Sequence, residues 1–549
     1  LSVSPHRPDV QEAEVTHPAF PVLASKNRSP LPTGSVEPGF IQSNYLVESD
    51  LVQPLANQIW LTDELLFHYQ RCHRRAFLEV YGDADLRDPP SDYLAKLRQD
   101  SIAHQRSVLG EQPTHRPSYT RRDWVQGAAE TLALMAQGVD RISEGVLIVE
   151  LDNDLRLVSN PNLLIKQPGQ SIFGDWVYEP ADIRLGKRPK MDYQIVVAFH
   201  TYVLAIVQDA WAETGWLMLR QRGAYAVDLA EAVPRMQEIL RSCMQTLLRR
   251  DEPEVFIAHN RCDLCQWFSH CYEQAQTDRH LSLLPGVTPS RYVHLKALGL
   301  TSLEALSEVN PKQLEMLPGF GVPVAHRLVR QAQSMRYNQA LPDCAEPFTA
   351  ADLLSVRELP TAPIELYFDI EAAPEQNLIY LHGVLVVDRI HQTETFHPLL
   401  AQSEEEEFQI WEQFLDLVWQ YPDAPIFHFC PYEVQTVKRL GEFYNTPIER
   451  IEPLLRRFVD LHERVTRVAI LPVESYALKP IARWLGFDWR DPDANGAQSI
   501  YWFAQWIDTG ELRYLEAILR YNEDDCRATY RIKEWLVEFC GLAASPPNL

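Results

Sequence analysis

Along this chain the spacing of apolar positions changes, and each change marks an element. Leu65-Leu66-Phe67 through Phe77-Leu78 and Tyr81 recur at helical spacing, since residues three and four apart share a helix face. Residues 120–142 read the same way, with Thr120 in the N-cap position. From residue 145 the pattern turns to strands: Gly145 to Leu151, Leu163 to Lys166 and Trp176 to Leu185. The apolar stretch over 192–209 is too long for an average strand and predicts a helix. This is an α/β layout, a small sheet flanked by helices. Two related turns follow, Leu284-Pro285-Gly286-Val287 and Leu317-Pro318-Gly319-Phe320-Gly321-Val322, each ahead of a helical run. The run Ile364-Glu365-Leu366-Tyr367-Phe368 reads as a buried strand, and the last helix spans Leu512 to Phe539.

At 549 residues the chain is too long for one core, and two to four domains are expected. No run of 18 apolar residues is present, so no transmembrane helix is expected. A basic flank followed by an apolar stretch is also missing, and a cytoplasmic location is expected. Residues 1–55, rich in Pro, Ser and Val, read as a disordered tail, with order beginning near Trp60. Nine dispersed cysteines, an odd number, argue against a disulfide framework.

The net charge is −24. Residues 364–549 hold 16 Lys and Arg against 31 Asp and Glu, a net of −15. That is a poor footprint for tight nucleic-acid binding, although a carboxylate metal site is acidic until its cations bind. The run Glu404 to Glu407 suits a solvated helix start.

The strongest chemistry lies in Asp369-Ile370-Glu371 and Tyr521-Asn522-Glu523-Asp524-Asp525. On a strand, Asp369 and Glu371 share a face; on a helix, Tyr521 and Asp525 do. Three carboxylates and a phenol suit a pair of hard divalent cations, which take oxygen ligands and serve phosphoryl displacement. These residues resemble the DxE and Tyr-x3-Asp signature of the RNase H-like 3′–5′ exonucleases (the DEDD superfamily), over about residues 360–540. The resemblance implies Asp369, Glu371 and Asp525 as ligands of two Mg²⁺ or Mn²⁺ ions, with Tyr521 orienting the attacking water. The middle acid falls on Glu433, read as the end of the strand from Ile426, where the family pattern wants Asp. Asp460 ranks second for that role.

Cys262-x2-Cys265-x5-Cys271 places three thiols close in sequence, and Cys72 is the best fourth. Four thiolates hold either an iron–sulfur cluster or zinc. One distant N-terminal cysteine plus a C-terminal triplet resembles the iron-staple nucleases of the RecB-like PD-(D/E)xK superfamily. That resemblance implies a [4Fe-4S] cluster, with zinc as the alternative. It also implies a nuclease core between the staples, and here the pattern is damaged. Asn162 stands in place of the first acid and Arg184 in place of the lysine. Asp182 survives, and the Gln-x3-Tyr register falls on Val196 and His200. This domain is therefore expected to be inactive, holding nucleic acid through Arg184, Lys187 and Arg188.

Leu317-Pro318-Gly319-Phe320-Gly321 with the run after it resembles a helix-hairpin-helix motif. Its glycines permit close backbone approach to phosphate, and Arg327 adds charge. The expected order is a tail (1–55), a RecB-like domain with a Cys cluster (56–278), a helix-hairpin-helix region (279–345), a linker (346–362) and an RNase H-like α/β domain (363–549). The expected function is a metal-dependent, 3′–5′ exonuclease on single-stranded nucleic-acid ends, DNA ahead of RNA, with no membrane role. Two alternatives stand beside it: a catalytically impaired binding or assembly subunit, and a working RecB-like nuclease with migrated acids such as Asp175 or Glu179.

Overall fold

The computed structural model describes residues 58–110, 112–151, 155–343 and 353–542. The expected tail (1–55) and the first part of the expected linker lie outside them. Two compact units are present. One holds the residues up to Pro90, Leu94–Val255 and Asp263–His270; the other holds Ser91–Tyr93, Phe256–Cys262 and the chain from Cys271.

The N-terminal unit is built from β1 (Ile59–Thr62), α1 (Asp63–Arg71), α2 (His73–Tyr81), α3 (Asp92–Leu109), α4 (Trp124–Ala136), β2 (Arg141–Ser143), β3 (Leu147–Leu151), β4 (Leu155–Ser159), β5 (Leu163–Ser171), β6 (Gly174–Arg184), α5 (Met191–Gln208), β7 (Trp216–Leu219), β8 (Gly223–Ala226) and α6 (Leu229–Arg249). A three-stranded sheet runs β1-β4-β3 and a five-stranded one β2-β5-β6-β7-β8. In the larger sheet β6 and β7 pair in parallel, and the other neighbours pair antiparallel. The helix α5 links that parallel pair, as a parallel pairing requires. Thr120 does not cap a helix running to Ile142. Asp123 caps α4, accepting the Gln126 amide, and Ile142 lies on β2. The chain around Gln137 and Gly138 breaks the helical pattern, Gly138 adopting a φ of 67°.

The second unit adds α7 (His259–Cys262), α8 (Phe268–Thr277), α9 (Pro289–Ala297), α10 (Leu303–Glu308), α11 (Lys312–Glu315), α12 (Gly321–Tyr337) and β9 (Leu341–Pro342). Then come β10 (Ile364–Ala373), β11 (Leu378–Asp388), β12 (Thr393–Leu400), α13 (Glu404–Trp419), β13 (Ile426–His428), α14 (Tyr432–Phe443), α15 (Ile448–Leu455), β14 (Phe458–Asp460), α16 (Leu461–Val468), β15 (Ala469–Ile470), α17 (Leu478–Trp484), α18 (Gly496–Thr509) and α19 (Leu512–Phe539). The sheet order is β12-β11-β10-β13-β14. The first three strands form an antiparallel meander, and β13 and β14 join in parallel.

Alternation along β10 explains the layers. Leu366, Phe368 and Ile370 pack with Trp411, Phe414 and Val418 of α13. Tyr367, Leu385 and Val387 pack with Cys526, Ile532 and Leu536 of α19 on the opposite face. The acid run at the start of α13 is not wholly solvated. Glu407 is buried and accepts the Ile379 amide and the Tyr444 hydroxyl.

Candidate metal centre

Strand alternation puts Asp369 and Glu371 on the α19 face of β10. The long helix α19 returns Asp525 to the same place. One ligand oxygen from each of these three residues lies within 4.8 Å of the other two. Tyr521, one turn before Asp525, is buried beside them and hydrogen-bonded to Asp525.

Burial and crowding act on all three acids in one direction. Burial pushes the Asp369 carboxyl well above the usual range, and the charges of Asp525, Glu371 and Glu433 add to it. Glu371 is pushed up to about 8, by burial first and by Asp525 next. Asp525 is pushed up to about 7 by burial, against the opposing pull of the Trp489 hydrogen bond and the Lys479 charge. Three carboxylates crowded out of water repel one another. A hard cation relieves that repulsion, and an all-oxygen donor set fits Mg²⁺ or Mn²⁺.

Each acid is held by a neighbour. The Trp489 indole donates to Asp525 Oδ1 at 2.7 Å. Arg490 binds the adjacent Asp524 through its amide and its Nε, both at 2.9 Å, so the chain after α17 is fastened to α19. The Tyr380 hydroxyl lies 3.5 Å from Glu371 Oε2 and 2.7 Å from Ser499 Oγ of α18. Asn522 donates to Asp369 Oδ2 at 2.6 Å. The Lys479 ammonium sits 5.1 Å from the ring centres of both Trp489 and Tyr521.

Residues 366–537 match the RNase H superfamily. The second unit thus carries a C-terminal RNase H-like domain, and its acidic triad is consistent with a metal-dependent nuclease. No curated protein matches the chain. The RNase H-like domain brings Asp369, Glu371, Tyr521 and Asp525 together as their spacing predicts. Glu433 is placed differently. The strand ends at His428, the chain turns through Cys430 with a φ of 76°, and Glu433 lies in the first turn of α14. It is buried, and its Oε2 is 3.3 Å from His428 Nδ1. Its charge reaches Asp369, but it is outside the group of three. Asp460 serves as the N-cap of α16 and accepts the Cys430 amide at 3.1 Å.

Sequence reasoning missed Asn522, Trp489, Lys479, Tyr380 and Ser499. Only Asn522 had a signal, its position inside the Tyr521–Asp525 segment. The others come from elements whose approach depends on the fold.

In the N-terminal unit, Asn162 accepts the Ile183 amide at 2.6 Å, so it braces a strand. Arg184 binds Asp182 at 2.6 Å and lies over the rings of Phe67 and Tyr193. Asp63, which the sequence did not single out, joins them. It accepts the Asn160 amide, and burial and the Asp182 charge push its carboxyl up to about 7. His200 is fully buried, with its Nδ1 2.8 Å from Ser159 Oγ. Glu179 is engaged by the Thr214 amide and the Trp216 indole, and Asp175 by Gln170. Lys187 and Arg188 are exposed.

At the double turn, Gly319 and Gly321 have φ values of 80° and 67°, and open space surrounds both. Arg291 ties the Gly286 and Gly319 carbonyls together. Arg327 turns to Asp343 and the Thr466 carbonyl.

Cys72 caps α2 through its sulfur, and burial, with Cys72 nearby, raises the Cys265 thiol. Cys262 accepts the Ala258 amide at 3.4 Å. None of Cys72, Cys262, Cys265 and Cys271 is in a disulfide. Among the described residues the acids form the one tight ligand group; the cysteines do not form one. No helix among the described residues is long and apolar enough to cross a membrane.

Proposed function

We propose that this chain is a metal-dependent nuclease, a 3′–5′ exonuclease on single-stranded ends, with its chemistry in the RNase H-like domain. The observation that carries it is the convergence of Asp369, Glu371 and Asp525 beside Tyr521. Asp369, Glu371 and Asp525 would hold the divalent cations. Such cations, when bound, supply activation of water and charge stabilisation at the phosphoryl oxygens. Tyr521 would orient the nucleophile through its hydroxyl. The Lys479 ammonium, over the Trp489 and Tyr521 rings, would meet an approaching phosphate. Buried Trp489 and Tyr380 shield Asp525 and Glu371 from bulk water, and Asp369 is half-buried.

The N-terminal unit is read as a degenerate RecB-like domain that clamps nucleic acid. Its mixed sheet with a helix between parallel β6 and β7 agrees with that reading. So does Arg184, which already neutralises Asp182. Within the same reading Cys72, Cys262, Cys265 and Cys271 would hold the [4Fe-4S] staple, and exposed Lys187 and Arg188 with the Gly319–Gly321 turn would meet phosphates. Glu179, committed to Thr214 and Trp216, is poorly suited to a migrated nuclease acid.

A second reading is a catalytically impaired binding subunit. It is favoured by Glu433, which faces His428 and leaves three acids at the centre. Degradation of end-labelled single-stranded DNA and RNA with Mn²⁺ or Mg²⁺ separates the two. Metal-dependent shortening by the wild type that Asp369→Ala loses supports the nuclease. No shortening of either substrate by the wild type supports the binding subunit.

A further inference from the structure

Asp369 and Gly383 are direct partners across the antiparallel β10–β11 pair. Both therefore face α19, where Asn522 comes down on them. Asn522 is fully buried, and its Nδ2 reaches Asp369 Oδ2 at 2.6 Å. Its Oδ1 has no partner and points at Gly383. A Cβ at position 383 would stand 1.6 Å from that oxygen and 2.7 Å from Cγ. Gly383 is not among the glycines with positive φ, so its backbone makes no demand for glycine. What position 383 requires is space. Glycine inside a strand marks such a close approach.

We propose that Asn522 is the positioning residue for Asp369, that Gly383 admits it, and that together they set the affinity of the acidic centre for a divalent cation. This rests on the metal-centre reading above. Leaving a buried amide oxygen unpaired is unfavourable. A small apolar residue would fill the same place without that penalty. The amide has one compensating contact, the hydrogen bond to Asp369. An ionised carboxylate only accepts hydrogen bonds, so an Nδ2 donor fits the form of Asp369 that binds metal. The bond fixes the rotation of the carboxylate on β10. Glu371 and Asp525 have comparable supports in Tyr380 and Trp489, which makes Asn522 the third member of an outer ring of donors. Such outer contacts orient metal ligands.

The test is Mn²⁺ binding to the full-length, metal-stripped protein, by titration calorimetry and by loss of the free-ion electron paramagnetic resonance signal. Asn522→Leu keeps the volume and removes the donor. Asn522→Ser deletes the amide with less bulk, and stands in if the leucine variant does not fold. Gly383→Ala displaces Asn522 from the opposite strand. Each variant is expected to bind Mn²⁺ about 10- to 100-fold more weakly, with the metal-free melting temperature reported alongside. Activity should return towards the wild-type kcat at saturating Mn²⁺, because affinity and not the reacting groups has changed. A folded Asn522 variant with wild-type Mn²⁺ affinity overturns the proposal. Wild-type protein that binds no Mn²⁺ overturns the metal-centre reading itself, and this proposal with it.

Discussion

The Trp489 indole donates to Asp525 Oδ1 at 2.7 Å, tying the segment after α17 to the acidic centre on α19. Trp489→Phe keeps most of the packing and removes the donor. Loss of such an outer contact weakens metal binding by about tenfold or more. The half-saturating Mn²⁺ concentration of the nuclease should rise by that factor; an unchanged value would mean that the bond only holds the loop.

Asp369→Ala and Asp525→Asn should each abolish metal-dependent hydrolysis while leaving the protein folded, since each removes a cation ligand. Full activity in both variants, measured on end-labelled single strands, would remove the RNase H-like domain as the catalyst.

The acids also predict a pH dependence. Unfolded carboxyls lose their protons near pH 4. In the folded protein Asp525 keeps its proton to about 7 and Glu371 to about 8. Raised acids bind protons more tightly when folded, so their stabilising effect is complete at low pH and lost as pH rises through that window. The melting temperature in a chelator should therefore fall between about pH 5 and 8. Saturating Mn²⁺ should reverse the fall at the upper end, where the site is ionised. A chelated protein whose melting temperature rises over this range contradicts the buried-acid picture.

Asp182→Ala should leave nuclease activity within a few-fold of wild type, because its charge is already spent on Arg184. The half-buried Arg184 then loses its hydrogen-bonded carboxylate, and the loss should show as a lower melting temperature. A large drop in activity at unchanged stability would return catalysis to the N-terminal unit.

Anaerobically purified protein should be brown and carry about four iron and four sulfide per chain if the cysteines hold the staple. Colourless protein with one zinc would keep the ligands and change the cofactor. Neither metal on the wild type would remove the staple.

What the sequence determined by itself was periodicity and spacing. The period-two run into Asp369 and Glu371 predicted one strand face, and it formed. The four-residue interval from Tyr521 to Asp525 predicted one helix face, and the helix spans Leu512–Phe539 as its apolar rhythm required. Both are local, set by backbone geometry. Glu433 lies on a helix and not at a strand end, because the strand stops at His428 and a left-handed turn at Cys430 carries the chain into α14. No period foretells such a turn at a cysteine. Asp63 was missed because Asp182, whose charge raises its carboxyl, lies far along the chain, and only the tertiary fold brings them near. The same holds for Asn522 above Gly383. A helix residue and a strand glycine acquire a shared purpose only when α19 docks on the sheet, since the absence of room for a Cβ beside Asn522 is a property of packing and not of sequence.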